Sequence, residues 1–137
     1  MGTDLWFYMK PEDIVQAVED DFSNFWTMCR KLVRIRWHTF LEKFHIDYGS
    51  LKTPISSKDL LLHLAKTDEH IEDREFWAYI FAKYDILFVP DTATEKIEKL
   101  GREGYLEVGD LYYTIRSLIK KDIKNIIKRK VEGKLLG

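Results

Sequence analysis

The feature that most constrains the fold is a line of apolar positions running from Val18 to Tyr48. Val18, Phe22, Trp26, Cys29, Val33, Trp37, Phe40, Phe44 and Tyr48 advance by threes and fours. Within it Phe22/Val33/Phe44, Trp26/Trp37/Tyr48 and Val18/Cys29/Phe40 recur every eleven residues. Eleven residues make about three turns of a straight α-helix, so one face stays apolar throughout. Pro11-Glu12-Asp13 suits a helix start and Gly49 a helix end. The spacing therefore predicts one helix over 11–48, roughly 57 Å long at 1.5 Å per residue.

Other segments read as shorter helices. Ser56 to Asp59 has capping-box spacing and opens a helix to Lys66. Residues 67–75 are nearly all polar and predict a break. Phe76, Trp77, Ile80, Phe81, Tyr84 and Phe88 mark a second helix ended by Pro90, and Thr92–Glu95 heads another closed by Gly101. The stretch 105–115 admits two readings. A Gly109-Asp110 turn makes it a β-hairpin, whereas the stripe Leu111, Ile115, Leu118, Ile119, Ile123, Ile126 and Ile127 makes it the start of the last helix, with Asp110 as N-cap. The stripe favours helix. The expected architecture is all-α: an antiparallel bundle of about four main helices with one very long N-terminal helix. Residues 1–10 form an apolar arm and 11–137 a single domain. Met9 also reads as an alternative start.

Composition excludes several classes. A hydrophobic content of 45% supports a core and argues against disorder. No apolar run reaches the ~18 residues of a membrane span. Cys29 is alone, which fits a reducing, intracellular setting. Asn and Gln total three (Gln16, Asn24, Asn125) while Lys and Glu abound, a balance that leans toward a hyperthermophile.

Catalytic chemistry finds no support. His38/His45 and His63/His70 are each seven apart, which puts both members on one helix face but roughly 10 Å apart along the axis. Glu42-Lys43-Phe44-His45 supplies one Glu-x-x-His, half of a dimetal site, and Asp59/His63 suits a surface contact. The expectation is no metal, no cofactor and no enzyme, with Cys29 an inert core thiol.

Charge is blocked along the chain. Residues 1–27 hold one base and six acids; residues 111–137 hold eight bases and two acids. Arg116, Lys120, Lys124 and Lys128 recur every four residues as a basic ridge, read either as internal complement to the acidic segments or as phosphate contacts. The stretch "TATEKIEKLGREGYLEVGDLYYTI" resembles the recognition helix and wing of winged-helix DNA-binding proteins, with Ile97, Leu100, Gly101, Tyr105 and Leu106 in matching places. That resemblance implies a DNA-binding regulator using 92–105, with Thr92, Thr94, Lys96 and Lys99 toward the groove. In length, composition and lack of motif the whole chain resembles the small proteins of fusiform viruses infecting hyperthermophilic archaea. That likeness implies the host cytoplasm as its setting and transfers no residue roles.

The run Leu5-Trp6-Phe7-Tyr8-Met9 is the main functional clue. A helix from Pro11 covers one or two of these side chains as a staple, not all. With a long helix overhanging its bundle, a homodimer covering Leu5, Trp6, Phe7, Tyr8, Trp26 and Trp37 becomes the leading expectation, with protein–protein contact as the function.

Overall fold

The computed structural model describes residues 3–33, 35–47, 52–116 and 120–136. Among them the chain is mixed α/β, with eight helices and a four-stranded antiparallel sheet. The all-α bundle is therefore incorrect, and so is the very long helix. The elements are β1 (Leu5–Met9), α1 (Pro11–Asp20), α2 (Phe22–Leu32), α3 (Trp37–Lys43), β2 (Ile55–Ser56) and α4 (Ser57–Lys66). They continue with α5 (Arg74–Lys83), β3 (Leu87–Pro90), α6 (Thr94–Arg102), β4 (Leu106–Glu107), α7 (Val108–Ile115) and α8 (Lys120–Leu136).

The apolar arm is one of the two inner strands of the sheet. The sheet order is β2-β3-β1-β4, and β1 pairs with β3 in the register Leu5↔Pro90, Trp6↔Val89, Phe7↔Phe88 and Tyr8↔Leu87. Its other edge pairs with β4 through Tyr8↔Glu107 and Met9↔Leu106. Aromatic and branched side chains fit a pleated, covered surface, which is why these residues form strands. Residues 5–8, which a start at Met9 would omit, make up most of this strand.

The sheet separates two packed layers. Leu5, Phe7 and Met9 share the main core with Phe88 and the helices α1 to α5. There Phe88 lies among Phe7, Phe40 and Phe81, with ring centroids 6.5, 4.9 and 6.0 Å away. On the opposite face Tyr8 and Val89 are covered by Leu100 of α6, with Leu87, Ile97 and Tyr105 around them.

The predicted 11–48 helix is broken twice. At Asp21 the backbone leaves the helical region (φ −152°, ψ 48°) and its carboxylate is held from α5 and the residue that follows it: Tyr79 Oη donates to Oδ2 at 2.5 Å, Lys83 Nζ at 3.1 Å and Tyr84 Oη at 3.3 Å. Val33 and Arg36 have extended backbone, and Ile35 and Arg36 pair with the start of β1: Leu5 N donates to the Ile35 carbonyl, Asp4 bridges Arg36, and Trp37 N donates to the Thr3 carbonyl. The apolar spacing survives both breaks because α1, α2 and α3 each turn one face to the same core. The helix also stops short of its predicted boundary, since α3 ends at Lys43 and His45 takes a left-handed conformation (φ 53°); Gly49 itself lies outside the described residues.

Elsewhere α4 begins as expected, with Ser56 Oγ accepting from Asp59 N at 3.1 Å. Phe88 lies in β3, not in the preceding helix, and α6 carries no side-chain cap. Over 105–115 the chain forms β4 and then α7 directly, so Gly109 and Asp110 sit in a first helical turn and not in a hairpin. The last helix, α8, packs along α1, and Lys128 Nζ meets Glu19 Oε1 at 2.5 Å.

Candidate interaction surface

Burial decides which of the predicted interface residues can meet a partner. Leu5, Phe7 and Tyr8 are buried within the chain, as is Trp37, whose ring stacks on Phe40 at 5.5 Å. Trp26 is half-buried between Phe22 at 5.6 Å and Tyr112 at 4.7 Å, joining α2 to α7. Without an overhanging helix, Trp37 is closed off, and Trp26 is partly covered by its two ring neighbours. Trp6 differs: pleat alternation sends it away from the main core, and 37% of its surface is exposed.

Trp6 does not stand alone. A cavity of about 80 Å³ beside it is lined by Asp4, Val33, Ile35, Glu107 and Tyr113 among others. It lies where the ladder on that edge of β1 changes hands, from the 35–36 segment near Leu5 to β4 at Tyr8. In this gap Phe7 N donates to Glu107 Oε2 at 3.3 Å, so a side chain takes the place of a strand. The same carboxylate caps α7, accepting from Gly109 N at 2.8 Å and Asp110 N at 2.9 Å. Burial still pushes the Glu107 carboxyl above its ordinary range, against the lowering effect of these three donors. Burial, and then Glu107, push Tyr8 up to about 12.

Helix α7 supplies the second ring. Tyr113 is 39% exposed, and the Arg116 guanidinium lies 5.3 Å from its centroid, a cation–π distance. Trp, Tyr and Arg are the residue types that dominate binding energy at protein interfaces. Sequence reasoning named Trp6 and Arg116, though Arg116 for a different role, and missed Tyr113, Val33 and Ile35. The i,i+3 spacing of Tyr113 and Arg116 was the available signal.

The other clusters have structural roles. Asp21 ties the α1–α2 break to Tyr79, Lys83 and Tyr84. His63 Nε2 lies 2.6 Å from the Phe44 carbonyl, and His45 holds Glu69 through Nδ1 at 2.5 Å and the His70 carbonyl through Nε2 at 3.0 Å. These contacts fasten the end of α3 to α4 and to the 67–73 turn. Among the described residues no three His, Cys, Asp or Glu side chains converge on a metal position. Cys29 is fully buried, and desolvation, with Glu107 adding to it, pushes its thiol well up, out of reactive range.

The nucleic-acid candidates are dispersed. Thr92, Thr94, Lys96 and Lys99 are exposed on or before α6, where Glu95, Glu98 and Glu103 offset Lys96, Lys99 and Arg102. Among the described residues no wing follows α6. Lys128 is engaged by Glu19 and Arg116 by Tyr113. Lys120 and Lys124 are α8 positions whose side chains lie outside the described part. No described helix is long and apolar enough to cross a membrane.

Comparison with known proteins gives no match among family models, curated proteins or solved structures.

Proposed function

We propose that this chain is a non-enzymatic α/β domain that acts by docking to another protein, a second copy included, through the Trp6–Tyr113 surface. The observation that carries the reading is two large, partly exposed rings flanking one cavity, with Arg116 against the second. Such rings on a rigid strand and helix offer large contact area at little entropic cost. DNA binding has less behind it, because the bases of α6 are balanced by acids.

The test is the double variant Trp6→Ala/Tyr113→Ala, both positions being exposed enough to leave the fold intact. Solution mass reads self-association, and quantitative cross-linking in the native cells reads other partners. The expected result is loss of a dimer, or of a specific cross-linked protein, with the melting curve unchanged. A variant that keeps the same mass and the same cross-links overturns the reading.

A further inference from the structure

The charges beside Trp6 specify what docks there. We propose that the occupant is a second copy of this chain, related by a two-fold axis that sets Asp4 of each copy against Arg36 of the other. The inference rests on the docking role above and names its partner.

Placement on one face is the first argument. Asp4 and Trp6 lie two positions apart along one extended segment, so both side chains leave the sheet on the same side. Arg36 bridges Asp4 directly across the ladder, which puts it on that side as well. Leu100 of α6 covers this face at Tyr8 and Val89. Beyond that cover Asp4, Trp6 and Arg36 are all exposed.

Charge complementarity is the second argument. An acid and a base opposite one another on a ladder attract, yet Asp4 and Arg36 form no ion pair with each other. A patch that holds a carboxylate and a guanidinium side by side is complementary to its own image. A half-turn brings acid over base twice, whereas a patch of one sign repels its copy. Arginine suits such a contact, because its planar fork matches both oxygens of a carboxylate. The two-fold is the commonest symmetry of soluble oligomers. Here it lays one Trp6 indole beside the other and buries both rings.

The experiment measures dimer dissociation by sedimentation equilibrium of the full chain. Beside it run Asp4→Arg, Arg36→Asp and the double variant Asp4→Arg/Arg36→Asp, each checked for folding by circular dichroism. The wild-type chain is expected to dimerise. Each reversal should weaken the dimer roughly ten- to a hundredfold, and the double variant should restore it. Should a reversal unfold the chain, Asp4→Asn reads the same contact through a smaller loss, roughly two- to tenfold. A wild-type chain that stays monomeric at millimolar concentration overturns the proposal. So does a charge change without effect, or a double variant as weak as the single ones. Docking itself is read separately by the Trp6→Ala/Tyr113→Ala variant. A monomeric wild type, combined with a cross-linked protein lost in that variant, would remove the second copy and leave the surface.

Discussion

Glu107 accepts hydrogen bonds from two residues of its own helix start and from Phe7, a hundred positions earlier in the chain. It is at once a helix cap and a patch in a sheet, so one atom-scale change strikes both. Glu107→Gln keeps the shape but presents an NH₂ to donors that need an acceptor. It should cost about 2–3 kcal/mol, read as a lower urea midpoint with an unchanged slope. Asp21 gives the matching pH statement. Burial raises its pKa, but hydrogen bonds from Tyr79, Lys83 and Tyr84 outweigh that and hold it below the ordinary 3.8. A depressed folded value means its contribution is fully present above 3.8 and is lost as pH falls through the folded value. The stability difference between wild type and Asp21→Asn should therefore shrink with acidification below that point. A difference that stays constant would separate Asp21 from the acid response. Residues of this kind were hidden in the sequence because their partners come from remote elements.

At the scale of elements, what was legible depended on whether an element's cause is local. The capping box at Ser56–Asp59 marked the start of α4 because both partners lie in one turn. The helical stripe after Leu111 correctly outweighed a hairpin, yet the cap fell at Glu107, not Asp110, because pairing with β1 fixes where β4 ends. The breaks at Asp21 and 33–36 carry no proline or glycine and exist for distant reasons: the α5 contacts of one, the β1 pairing of the other. Strand β1 was missed for a related reason. A strand covered on both faces reads as an unbroken apolar run, which looks like an unattached arm. Its burial makes a strong prediction. Removing residues 1–8 should abolish cooperative thermal unfolding, not merely release a monomer, because β3 and β4 lose the strand between them. A truncated chain that still melts in one sharp transition near the wild-type temperature would contradict the sheet order.

Across the whole molecule, the charge blocks find a counterpart in the fold. The acidic α1 lies along the basic α8, joined by Glu19 and Lys128, so part of the basic ridge is spent inside the chain. Of the interface foreseen in the sequence, Trp6 alone remains well exposed, and its neighbours Val33, Ile35 and Tyr113 are brought to it by folding. The inner place of β1 also carries a consequence for biosynthesis. Apart from its short contact with the 35–36 segment, β1 has its partners at 87–90 and 106–107, so no rung of the sheet closes until synthesis has passed β3. Such non-local pairing gives high contact order and slow folding. Until β3 and β4 emerge, Leu5–Met9 is an aromatic, largely unpaired strand in a nascent polypeptide, the kind of segment that chaperones cover.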